Sequence, residues 1–219
     1  VRRLFLAVLL LLPALALADV DKRFARLRDQ AEPLGSLSTF LDKYIGDCAG
    51  VFVSPSCRDD AEAFRKKYEG KKLYMIIGEE AAAAIVNPGP YQPGSGNYVI
   101  EVTPYFSGGS YALTQGVPKQ SDSGGNPLVP LIRITGTTPE GWVATDFLRL
   151  FTTRQIRVQL VFTPQGVWSM PRKRGSGKVS GVAARVEGIL LTNSRTGEPL
   201  GLWFPEAPDA GGGKKGGKK

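Results

Sequence analysis

The chain has 219 residues, a formal net charge of +8 and no histidine. Without imidazole there can be no Ser-His or Cys-His nucleophile pair, no histidine-ligated zinc and no histidine acid–base step. Setting aside Arg2, Arg3, Lys214, Lys215, Lys218 and Lys219 leaves +2, so the charge excess is terminal and the body does not predict a nucleic-acid partner.

Arg2 and Arg3 precede an apolar run from Leu4 to Leu12, followed by Pro13 and an Ala-x-Ala end at Ala18. That order predicts a secretory signal peptide over 1–18, cleaved after Ala18. The apolar run is shorter than the ~20 residues of a membrane span, so the mature chain is not expected to be an integral membrane protein. In an oxidising compartment the close pair Cys48 and Cys57 predicts a disulfide. A redox or metal-binding pair is the rival reading, but Cys-x-x-Cys spacing is absent.

Val20, Phe24, Leu27 and Ala31 recur at helical steps among Lys22, Arg23, Arg26, Arg28 and Asp29, an amphipathic helix that Pro33 and Gly35 end. Its stripe suits packing on a sheet better than lying on a membrane. Ser36 then caps a second helix carrying Leu37, Phe40, Leu41, Tyr44 and Ile45, with Gly46 as the stop. A third helix over Asp59–Glu69 turns Ala61, Phe64 and Tyr68 inward. The disulfide would staple the second helix to the third.

Beyond Lys72 the chain becomes strand-rich. Leu73–Ile77 reads as a strand, Glu79–Val86 fits helix or strand, and the Pro/Gly-rich stretch Asn87–Asn97 reads as a loop. Tyr98–Phe106 and Tyr111–Gln115 predict a hairpin, with Pro104 limiting its first arm. Gly116–Pro127 is a polar loop, Leu128–Thr135 a strand, and Asp146 caps a short helix reaching Phe151.

The strongest alternation lies in Arg154–Phe204. Ile156, Val158, Leu160 and Phe162 share one face opposite Arg157 and Gln159. A turn at Pro164–Gly166 would lead to a short return strand, Val167–Met170, and then to a basic loop. A final hairpin would follow, turning at Asn193–Gly197. Its first arm puts Val182, Ala184, Val186 and Leu190 on one face, opposite Arg185 and Glu187. The Gly/Lys-rich stretch 207–219 cannot form a core and predicts a disordered tail.

The fold class expected is α+β, with N-terminal helices on a curved, mostly antiparallel sheet that could close partly into an open barrel. Residues 19–206 would form one domain, helical over 19–70 and strand-rich over 71–206.

Chemistry is scarce. Glu101, Asp122, Glu140, Asp146 and Glu187 are the carboxylates from which a glycosidase-like pair could be drawn. Gly175–Lys178 fails the phosphate-loop signature at both ends, because Arg172 stands at its first glycine and Val179 at its Ser/Thr. No nucleotide and no other cofactor is therefore implied, and no metal site. The constellation with binding chemistry is Arg172, Lys173, Arg174 and Lys178 after Trp168: cations for sulfate, phosphate or carboxylate, and a ring for stacking. The expectation is an exported, noncatalytic envelope or extracellular protein that binds a protein partner or an anionic polysaccharide or lipid surface. The competing expectation is a histidine-free hydrolase of envelope glycans.

Overall fold

The computed structural model describes residues 22–46, 48, 56–92, 94–120, 127–137, 142–172 and 177–206. The segment read as a signal peptide, the Gly/Lys-rich stretch 207–219, Lys173, Arg174, Asp122 and Glu140 lie outside the described residues.

Strands β8 (Ile156–Pro171) and β9 (Lys178–Asn193) are each 16 residues long and pair antiparallel along their whole length, from Ile156 opposite Asn193 to Pro171 opposite Lys178. This corrects the sequence reading, which ended the first strand at Pro164–Gly166 and sent Val167–Met170 back on itself. Pro164 and Gly166 do not turn the chain. They flank Gln165, an extra residue on β8 opposite the step from Ala184 to Ala183. A bulge tolerates a proline that cannot donate to the ladder.

Around this hairpin the larger sheet runs β1 (Glu32–Pro33), β2 (Leu73–Ile77), β8, β9, β6 (Tyr111–Gln115), β5 (Tyr105–Gly108), and β10 (Pro199–Trp203) also pairs with β9. Most pairings are antiparallel, but β1 with β2 and β6 with β9 are parallel. The strand path is open, so the sheet forms no closed barrel. A second, antiparallel sheet holds β3 (Val86–Gln92), β4 (Asn97–Val102) and β7 (Ile132–Thr137). The architecture is α+β.

Helix α1 (residues 22–29) and helix α2 (Leu37–Ile45) cover opposite faces of the larger sheet. From α1, buried Phe24 packs on Val161 and Leu190, joined by Leu27 and Phe204. From α2, Phe40 meets Phe162 edge-on with ring centroids 6.2 Å apart. Val161 and Phe162 are neighbours in sequence, and strand geometry sends them to opposite faces.

Leu190 was expected beside Val186. Glu187 is an extra residue on β9, because Val161 opposes Gly188 and Phe162 opposes Val186. The bulge reverses the alternation after it, so Ile189 and Leu191 enter the main core and Leu190 turns to α1. The Glu187 carboxylate accepts from Thr163 Oγ1 and Arg185 Nε, both at 2.8 Å.

Ser36 caps α2, its Oγ accepting from Thr39 N, and Gly46 ends the helix at φ 60°. Helix α3 (Cys57–Tyr68) follows, and the Cys48–Cys57 disulfide, with Cα atoms 5.9 Å apart, ties it to the end of α2. The Arg65 guanidinium donates to Tyr44 O and Ile45 O at 2.7 and 2.9 Å, satisfying carbonyls that the helix end leaves free.

The stretch read as a loop from Asn87 contains most of β3. Its prolines are compatible with a strand because β3 lies at a sheet edge and its register is irregular between Pro88 and Tyr91. Helix α4 (Glu79–Ala83) precedes it. Tyr98–Phe106 is not one hairpin arm either: the chain bends at Thr103–Pro104, with Tyr105 N donating to Thr103 O, and β4 and β5 join different sheets. The expected strand over Leu128–Thr135 begins later, at Ile132, and Leu128 makes an isolated bridge to Lys119.

Helix α5 (Ala144–Thr152) packs on the second sheet, where buried Phe147 stacks on Tyr98 at 4.7 Å. Asp146 Oδ2 accepts from Val143 N at the start of that helix. The sheets approach most closely where β7 meets β10. A Cβ on Gly136 would lie 2.4 Å from Leu200 O, and the Tyr98 hydroxyl donates to that same carbonyl. One cluster of buried side chains includes residues of both sheets.

Candidate functional site at the hairpin tip

The basic cluster falls where the β8–β9 hairpin turns. Arg172 N donates to Gly177 O at 3.0 Å, and Pro171 opposes Lys178, which brings Arg172 and Lys178 to adjoining strand ends. Both are exposed, and neither forms an ion pair with a described carboxylate. Below them Ser180 Oγ and Ser169 Oγ bond across the hairpin at 3.0 Å, and Gln120 Nε2 reaches Pro171 O at 3.5 Å. Tyr105 is close enough for Arg172 to act on it electrostatically. Burial raises its phenol above the ordinary value, and Arg172 partly opposes that shift. Two strand-anchored cations without carboxylate partners can hold an anion, though Lys173 and Arg174 add nothing that can be described.

Trp168 does not belong to that surface. The Gln165 bulge puts it on the same face as Ala183 and Ala112, where it is 4% exposed and its indole N–H donates to Thr114 Oγ1 at 2.9 Å. A ring enclosed in this way cannot stack on a ligand. Proximity in sequence suggested an aromatic partner for the cations; the ring instead packs over Gly181 and against Ala112, which keeps it from them.

The described acidic candidates are engaged locally. Glu101 pairs with Arg133 at 3.1 Å, Glu187 with Arg185 at 2.7 Å, and Asp146 serves the start of α5. None of the three lines either of two clefts on the surface. The first cleft, of about 500 Å³, lies beside the disulfide and includes Arg58, Glu62 and Arg65; Arg65 is committed to the carbonyls of α2. The second, of about 190 Å³, lies between α4, the start of β3 and the end of α5, with Glu79 as its one carboxylate and Arg154 in its wall. The sequence reading passed over Arg154. Its signal was a bulky residue at a helix end, where glycine is the usual choice. Among the described residues no group of three His, Cys, Asp or Glu side chains is placed to hold a metal ion, and no helix is long and apolar enough to cross a membrane.

The architecture thus defines an α+β protein organised on one long hairpin. A family model described as a family of unknown function, DUF6066, matches residues 1–215, and the chain belongs to that family. Comparison with curated proteins and with solved structures gave no match.

Proposed function

We propose that this is an exported, noncatalytic binding protein of the cell envelope or exterior that holds an anionic polymer through its hairpin tip. The observation that carries the reading is the placement of Arg172 and Lys178 at adjoining ends of the longest strand pair, exposed and without a carboxylate partner among the described residues. The rigid ladder beneath limits the entropy lost when the cations engage a ligand. The Cys48–Cys57 disulfide supports an oxidising compartment. Each of the two clefts contains a single carboxylate among the described residues, so neither supplies the pair that the competing hydrolase reading needs.

Immobilised heparin tests the proposal on the full-length chain, so that the terminal lysines are equal in all samples. Wild type should be retained at about 50 mM salt. The Arg172→Gln/Lys178→Gln variant should elute earlier, with the slope of log affinity against log salt shallower by roughly one unit per removed cation. Identical elution of the two proteins would refute tip-driven binding.

A further inference from the structure

Helix α5 ends with two backbone hydrogen bonds, Gln155 N to Leu150 O at 2.8 Å and Arg154 N to Phe151 O at 3.2 Å. This is the Schellman pattern, and its left-handed position normally belongs to glycine because an L side chain there crowds the backbone. Here the position holds Arg154, at φ 51°, and no other non-glycine residue among those described has positive φ. An unfavourable backbone state that persists points to a use for the side chain it carries.

Arg154 lines the cleft of about 190 Å³, together with Val86, Leu150, Phe151 and Ile156 and with Glu79 and Asn87. Glu79 already faces Arg157 at 3.9 Å. Arg154 forms no ion pair with a described carboxylate. With Glu79 paired to Arg157 from outside the lining, the cleft combines an apolar wall with one guanidinium in no ion pair with a described carboxylate, which is complementary to a single negative charge on a small apolar body. Its volume is well below that of a drug-sized pocket, so that body is short.

We propose that the cleft between α4, β3 and α5 binds a short-chain organic carboxylate. The Arg154 guanidinium takes the carboxylate, for which its planar fork is suited, and Val86, Leu150, Phe151 and Ile156 take the chain. This site is separate from the hairpin tip and does not depend on polymer binding there.

Hexanoate titrated into the full-length protein, followed by backbone amide chemical shifts, tests the proposal. Saturable shifts are expected around residues 79–88 and 150–156, with a dissociation constant on the order of 1 mM for so small a ligand. Hexan-1-ol, of the same chain length and without the charge, should bind at least ~10-fold more weakly, a comparison that needs no variant. Arg154→Gly should weaken hexanoate ~10-fold or more while its Tm holds or rises, because glycine is at ease in the left-handed region. Equal binding of the acid and the alcohol would overturn the proposal. So would undiminished hexanoate binding by Arg154→Gly, or no saturable shift near the cleft at about 50 mM hexanoate.

Discussion

Trp168 packs across Gly181, the residue directly opposite it on β9. A Cβ at position 181 would stand 2.4 Å from Trp168 Cζ2 and 2.3 Å from Ala112 O on the next strand. Only a residue without a side chain lets the indole cross the sheet from β8 toward β6, where it reaches Thr114 Oγ1. The ring covers the junction between the hairpin and its parallel neighbour.

Gly181→Ala should therefore destabilise the protein by about 3 kcal/mol, the upper part of the range for overpacking, because one obstacle is backbone and cannot rotate away. Urea unfolding measures the loss. Tryptophan emission of the folded variant should move to longer wavelength as the ring of Trp168 is displaced toward water.

Tyr98 gives a pH signature. Burial, with a smaller push from the Glu198 charge, raises its phenol well above the ordinary value of 10.0. Below pH 10 the folded and unfolded chains both keep the proton. Above it the unfolded chain releases the proton and the folded chain does not, so stability falls by about 1.4 kcal/mol per pH unit from this residue. Tyr44, Tyr74 and Tyr105 are raised in the same direction, chiefly by burial, and steepen the fall. Tyr98→Phe should cost ~1–2 kcal/mol at neutral pH by leaving Leu200 O without its donor. The same variant should lose stability less steeply than wild type between pH 10 and 11. Guanidinium unfolding across that range reads both effects.

Reduction of Cys48–Cys57 frees a short loop and should cost about 2–3 kcal/mol on the chain-entropy account. That corresponds to a fall in Tm of roughly 5–10 °C for a chain of this size. Calorimetry with and without reductant measures it, and a Cys48→Ala/Cys57→Ala variant should show no further response to reductant.

Helix α1 is held by Phe24, which is 1% exposed against Val161 and Leu190, and by Arg23, whose guanidinium sits 3.9 Å from the centroid of the Phe204 ring. Phe24→Ala should cost about 3–5 kcal/mol and open Arg23–Arg28 to trypsin. A helix that instead lay on a membrane would survive this change without loss of stability in solution.

Much of the fold was legible because the main core follows simple periods. Phe40, Leu41 and Tyr44 declared a helix face, and Ile156, Val158, Leu160 and Phe162 a strand face, and all seven are buried as their spacing predicts. What the spacing could not show was the two single-residue insertions. Pro164 and Gly166 around Gln165 read equally well as a turn, and Glu187 sits in an unbroken alternation, yet each insertion reverses every position after it. Leu190 consequently faces opposite to expectation, and Trp168 lies on the face away from the main core that Phe162 enters. The prolines of β3 misled for a related reason, since a strand's tolerance of proline depends on its being an edge, which only the assembled sheet decides. The cations of the hairpin tip were visible as a run in sequence. The Arg154 cleft was not, because it joins residues 79–88 to residues 150–156, two stretches far apart along the chain.

Strand β9 has β8 along one side and, on the other, β6 beside Gly181–Ala184 and β10 beside Ile189–Thr192. Two of these neighbours are local in sequence and one is not: β8 and β10 are connected to β9 by short turns, whereas β6 must return from the far side of β7 and α5. Closing so long a loop is slow and gains nothing until the pairing forms. The order of assembly follows, with the β8–β9–β10 meander forming first as a template and β6 docking late and bringing β5 with it. In refolding kinetics the Trp168 indole, which β6 helps to enclose, would then report the last step of the sheet.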